Sequence, residues 1–286
     1  MIDLLPQYLF NGVLVGANYA LIALGLTVIF GLMNIANFAH GQFYMMGGFM
    51  AYVLTSSLGL NYFVSIGIAV LIVAAFGVLL DRTIFKRLRS EPLISSVLVT
   101  IGLAILLENL ALIVWGPRPE AIPTPFSKMP VILGPIFATE ARLFALGVTF
   151  ATILGVHLLL RYSRWGKAVR ATFQQPEAAA LVGIDVDRLY SACFGIGAGL
   201  AALGGALLGA IFFVHPTMGG IATLKAFVVV ILGGMGSFPG AIAGGLLLGI
   251  AESFGTLITS DYKDAIGFIL VILILLYRPD GLFKRA

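Results

Sequence analysis

Four polar side chains crowd around Gly41 in an otherwise apolar stretch: Asn34, Asn37, His40 and Gln42. Amide and imidazole groups inside apolar helices cost free energy unless a partner, water or a solute takes their hydrogen bonds. They could line a route for a small polar solute, or fix helix packing by bonding across helices, and both readings stand. Glu108, beside Asn109, and Glu252 pose the same question in later apolar runs. A further place for chemistry is the break Gly233-Gly234-Met235-Gly236-Ser237-Phe238-Pro239-Gly240, which cannot continue a regular helix. Broken backbone at membrane depth survives only inside protein or beside a watery cavity. Gly234, Gly236 and Ser237 therefore join Asn34, Asn37, His40, Gly41, Gln42, Glu108 and Glu252 as candidate lining of a translocation pathway.

Other chemistries find no support. The chain has no G-x-x-x-x-G-K-[ST] phosphate loop and no H-E-x-x-H, and its single cysteine, Cys193, sits in an apolar run as a buried thiol. Neither a metal site, a cofactor nor an enzymatic centre is expected. His157, near the basic end of its helix, reads as interfacial.

The elements that must hold these residues are membrane helices. Of 286 residues, 60% are hydrophobic and 10% charged, where soluble domains carry about a quarter charged. Apolar runs near 8–33, 42–59, 61–80, 93–115, 142–161, 189–213, 222–258 and 262–277 each meet or approach the roughly 20 residues a bilayer core requires. The seventh exceeds one span and is cut by the glycine break, so it divides in two. The expectation is an all-α, polytopic bundle of eight to nine transmembrane helices, one membrane domain over 1–286, with a broken helix near 233–240. The N-terminal helix is expected to remain, since Met1-Ile2-Asp3 lacks a basic leader.

Twelve of the 17 Lys and Arg residues fall in three connections: Arg82, Lys86, Arg87 and Arg89; Arg161, Arg164, Lys167, Arg170 and Arg188; Arg278, Lys284 and Arg285. The positive-inside rule places all three in the cytoplasm. The N-terminus is then outside, and Arg118, Lys128, Arg142, Lys225 and Lys263 face outward. The net charge of +4 thus reads as topology, and nucleic acid is excluded as a partner. Residues 116–141 hold six of the 12 prolines and form an outer loop, extended or folded over the mouth. Glycines spaced four apart, Gly12 with Gly16, Gly205 with Gly209, Gly240 with Gly244 and Gly245 with Gly249, predict close helix packing.

The cytoplasmic loop 162–188 opens with a basic amphipathic stretch suited to the membrane surface. Pro176 then begins a short helix, Glu177 sits in its first turn, and Gly183 ends it. Glu177-Ala178-Ala179 with Gly183 resembles the E-A-A-x-x-x-G loop of ABC importer permeases. With it stand Asn37-Phe38-Ala39-His40-Gly41, Ser163-Arg164-x-Gly166-x-Ala168-x-Arg170-Ala171, Leu232-Gly233-Gly234-Met235-Gly236-Ser237 and Arg278-Pro279-x-Gly281-Leu282-Phe283. Together these are similar to the LivH-type permeases of high-affinity branched-chain amino-acid ABC importers. The chain departs from the general loop in lacking an Ile-x-Leu-Pro ending, and from the family in carrying Gly47-Gly48-Phe49 where Gly-Ala-Tyr is usual.

The resemblance implies a permease of the bacterial inner membrane working by alternating access. It implies a second permease subunit, LivM-like or a second copy, two cytoplasmic ATP-binding subunits and a periplasmic binding protein delivering a small amino acid. Arg164, Gly166, Arg170, Glu177, Ala178, Ala179 and Gly183 would form the ATPase-coupling segment. Urea and short-chain amide importers share these motifs, and an ion-coupled secondary transporter would instead need Glu108 or Glu252 as its coupling carboxylate.

Overall fold

The computed structural model describes residues 4–127, 129–257, 263–278 and 281–283. Of the residues singled out above, Met1, Ile2, Asp3, Lys128, Pro279, Lys284 and Arg285 lie outside this set, as does the side chain of Lys263. In chain order the elements are α1 (Leu5–Met33), α2 (His40–Tyr52), α3 (Tyr62–Leu80), α4 (Lys86–Leu88), α5 (Leu93–Trp115), β1 (Pro130–Leu133), β2 (Ile136–Thr139), α6 (Glu140–Tyr162), α7 (Arg164–Gln174), α8 (Pro176–Leu181), α9 (Val186–Gly209), α10 (Met218–Gly233), α11 (Phe238–Gly255) and α12 (Lys263–Tyr277). Single π-helical turns, Val53–Ser57 and Asp81–Phe85, follow α2 and α3.

Among the described residues six helices are long and apolar enough to cross a membrane: Leu5–Met33, Tyr62–Leu88, Leu93–Trp115, Glu140–Tyr162, Val186–Gly209 and Phe238–Gly255. Met218–Gly233 and Gly267–Tyr277 are shorter apolar helices. The long seventh run is divided where the glycines predict. Gly234 and Gly236 take left-handed backbone, φ 94° and 84°, and Ser237 caps α11 by accepting from the Gly240 N–H at 3.1 Å.

Beside a core of interlocking apolar side chains, several helix contacts are made through glycine. A Cβ on Gly12 would lie 2.7 Å from Ile250 Cα, and one on Gly16 would lie 2.8 Å from the Gly245 carbonyl oxygen, so α1 and α11 touch backbone to backbone. They run antiparallel. Helix α9 is the central post, buried along most of its length and packed against α1, α2 and α3. By contrast α5 and α6 are peripheral and expose Leu98, Leu106, Leu154 and Leu158.

The two ends of the bundle are built differently. On one, Gln7 clasps the Phe137 backbone (2.7 Å from its N–H, 3.2 Å to its carbonyl) and Glu120 pairs with Val214 through two 2.8 Å backbone bonds. The proline-rich loop is thereby pinned over the ends of α1 and α9. Within it, Leu133 and Ile136 close an antiparallel hairpin around Gly134 (φ 61°). This hairpin departs from the all-α expectation: Val131, Ile132, Ile136 and Phe137 are β-formers, and Gly134 supplies the turn. The opposite, basic face carries residues 81–89, α7, α8 and the α10–α11 break.

One placement is corrected. Lys225 does not face outward but lies in the interior of α10, 2% exposed, ion-paired with Glu252 of α11. Tyr19 of α1 donates to the other Glu252 oxygen at 2.9 Å, and the ammonium lies over the Phe268 ring at 4.8 Å. An unpaired ammonium at this depth would be prohibitive, so the carboxylate of the following helix is what permits it.

Candidate translocation and coupling sites

Helix α1 ends at Asn34, whose left-handed backbone (φ 53°) returns its N–H to the Phe30 carbonyl at 2.8 Å. The chain does not turn back along the surface. It climbs into the bundle, so that six residues later the His40 ring lies 3.0 Å from the Ile22 carbonyl. Ile22 precedes Met33 by eleven positions, about 16 Å along a helix axis. Helix α2 therefore begins deep inside the protein. Its start is held by the Asn37 carboxamide oxygen, which accepts from the Ala39 N–H at 3.0 Å, and by Thr223 of α10, which accepts from the Gly41 N–H at 3.0 Å. A side chain at Gly41 would strike the Gly219 carbonyl and Thr223, so this approach of α2 to α10 needs glycine.

Asn37, His40 and Gln42 are all but fully buried here, and each keeps a polar atom without a protein partner: Asn37 Nδ2, His40 Nδ1 and Gln42 Oε1. Buried polar atoms of this kind normally find a partner or an ordered water. Three of them at the start of one deep half-helix form a polar locus in an apolar bundle.

The ten pathway candidates do not converge. Asn37, His40, Gly41 and Gln42 share this locus, with Asn34 exposed below it. Gly234, Gly236 and Ser237 lie at the basic face, where a Cβ on Gly236 would meet the Phe173 ring of α7 at 2.8 Å. The C-terminal motif joins them: Leu282 and Phe283 donate their N–H groups to the Leu232 and Gly233 carbonyls at 2.8 and 3.2 Å. Glu252 belongs to the Lys225 pair. Glu108 sits on peripheral α5, half-buried and away from the other candidates, while Asn109 beside it is exposed and donates to the Ile105 carbonyl of its own helix at 2.8 Å.

The segment between α6 and α9 is built in two pieces. Ser163 caps α7, accepting from the Gly166 N–H at 2.8 Å. Gly166 is buried against the Leu159 and Leu160 carbonyls, and Arg170 donates to the Leu160 carbonyl, so α7 folds back on the end of α6. Its inward side is Gly166, Val169 and Thr172, with Arg164, Lys167 and Arg170 exposed. Pro176 then starts α8, and Gly183 ends it at φ 88° with open space around it. Ala179 turns inward at 3% exposure; Glu177 and Ala178 turn out.

The tip of α8 holds what sequence reasoning missed: Leu181 and Val182 are 89% and 78% exposed. The last residue of this six-residue helix and the residue capping it thus leave two large apolar side chains uncovered side by side. Their signal was present as Leu181-Val182 directly before the helix-ending Gly183.

A glycine-packed helical bundle with a deep half-helix, a buried polar locus and a stiff projecting helix defines a class, the polytopic membrane transport subunit. Among the described residues no three His, Cys, Asp or Glu side chains gather as metal ligands. The chain belongs to the family described as branched-chain amino acid transport system / permease component, which matches residues 8–275. It is 36% identical to the high-affinity branched-chain amino acid transport system permease protein LivH of Escherichia coli (strain K12), over 98% of this chain and 95% of that one. Identity and coverage are the same with the permease protein BraD of Pseudomonas aeruginosa. The E. coli permease protein LivM is 29% identical over 94% of this chain and 68% of its own length. The family is one of transport components, not enzymes.

Proposed function

We propose that this chain is one of two permease subunits of an ATP-driven importer in the bacterial inner membrane, carrying branched-chain amino acids from a periplasmic binding protein to the cytoplasm. The observation that carries the reading is α8. Rigid import coupling requires a cytoplasmic element that moves with the spans, and Pro176–Leu181 is anchored through α7 to α6 and through Val182–Asp185 to the central helix α9. Its exposed Glu177, Ala178, Leu181 and Val182 are the docking surface for an ATP-binding subunit. Arg164 and Arg170 flank it, and Gly166 sets its angle.

In this reading the chain crosses nine times from an outside N-terminus, α2 being the crossing that starts part-way. Asn37, His40 and Gln42 present polar atoms where the moving helices meet. Glu108 and Asn109 lie mid-span on a helix with few neighbours of its own, which supports a protein partner over lipid on that side. The likeness to both LivH and LivM supports a heterodimer. The ion pair with Lys225 and the hydrogen bond from Tyr19 give Glu252 a packing role between α1, α10 and α11, which weighs against its use as an ion-coupling carboxylate.

The test is reconstitution of this chain with its LivM-like partner, two ATPases and the binding protein in proteoliposomes, following labelled leucine. ATP-dependent uptake that needs the binding protein is expected, with urea and short amides failing to compete. Uptake driven by an ion gradient in this chain alone would overturn the proposal.

A further inference from the structure

At the basic face a cavity of about 800 Å³ opens between α1, α6, α7 and the α10–α11 break. Its walls combine Thr27 and Leu32 of α1, His157 and Arg161 of α6, Arg170 of α7 and Phe238 of α11. Three features together describe its occupant. The first is charge: Arg161, Arg164, Lys167 and Arg170 have no carboxylate within 4.0 Å among the described residues. The second is a polar side chain in the wall, the half-buried imidazole of His157. The third is position. Leu154 and Leu158 are exposed on the same helix as His157 and Arg161, and α7 borders the cavity with Val169 and Arg170 in its wall and Arg164 and Lys167 outside it. An anionic head, a polar linkage and apolar tails, at the level of a membrane surface, are the parts of a phospholipid.

We propose that this cavity is a binding site for one anionic glycerophospholipid of the inner leaflet. Arg161 and Arg170 hold its phosphate, His157 meets its glycerol linkage, and Leu32 and Phe238 take the start of its acyl chains. Basic pockets between transmembrane helices on the cytoplasmic side suit such head groups. The bound lipid would act as a wedge between α1 and the segment that leads to α8. This site is independent of which solute is carried.

Native mass spectrometry and thermal unfolding of the purified permease pair test it. Phosphatidylglycerol should be retained through delipidation and raise the melting temperature, while phosphatidylcholine and inorganic phosphate should do neither. Arg161→Gln with Arg170→Gln should lower phosphatidylglycerol retention on the order of twentyfold, from about fivefold per cation near an anionic surface. Arg164→Gln with Lys167→Gln removes the same charge away from the cavity and should retain the lipid. Thr27→Phe, which fills the cavity, should abolish retention. Equal retention of both lipids, a matching shift from inorganic phosphate, or equal losses in the two double variants would overturn the site. The wild-type head-group comparison needs no substitution, so it decides even if a variant fails to fold.

Discussion

Two basic clusters share one face of the bundle and obey the same topological rule, yet the protein uses them differently. In the first, Arg89 binds both oxygens of Asp81 at 2.7 Å, reaches Asp187 at 2.8 Å and stacks over Tyr190. Asp81 also accepts from Ser191 at 2.7 Å, and Lys86 joins Asp187 at 2.8 Å. The π-turn Asp81–Phe85 aims a fully buried carboxylate at α9. Those charges close the bundle. In the second cluster Arg188 pairs with its neighbour Asp185 at 2.9 Å, but Arg161, Arg164, Lys167 and Arg170 meet no carboxylate among the described residues, and α7 and α8 are left with cations and apolar side chains facing outward. A charge rule fixes the side of the membrane; where the acidic residues fall decides whether the charges lock the fold or await a partner.

The largest effect should come from breaking the first cluster. Asp81→Ala takes from Arg89 its buried partner, leaving Asp187, and from Ser191 its acceptor, and should cost about 3 kcal/mol, the low end for removing one partner of a buried pair, read as a fall in melting temperature in detergent. If Asp81→Ala is silent, the first cluster is no more structural than the second. Next in size is Gly166→Ala, whose methyl would press on the Leu159 and Leu160 carbonyls. We expect a loss of about 1–3 kcal/mol together with weaker ATPase coupling, measured as leucine uptake per ATP hydrolysed. The smallest change in stability should follow Arg161→Ala, within about 0.5 kcal/mol as for other surface positions. A loss there matching that of Asp81→Ala would erase the contrast.

Much of this was legible in the chain. Glycines four apart predicted the backbone contacts of α1 and α11, the Gly233–Gly240 stretch predicted the divided helix, and Pro176 with Gly183 bounded α8, because each rests on local backbone chemistry. Lys225 was misplaced because its partner lies 27 residues on, across the break, and charge counting sees no such pairing. The depth at which α2 begins was hidden as well, since nothing local to Asn34–His40 says that His40 reaches Ile22. Leu181 and Val182 look like core residues in one dimension. Their exposure follows from α8 projecting past the bundle with only Ala179 turned in.

The central claim is that α8 grips an ATPase while the first cluster merely holds the bundle. The direct measurement is Leu181→Asp in the assembled importer, scored for ATPase subunits that co-purify and for melting temperature. We predict that the ATPase is lost and leucine uptake stops, with the melting temperature of the permease pair unchanged. A full complement of ATPase with undiminished uptake would contradict the account.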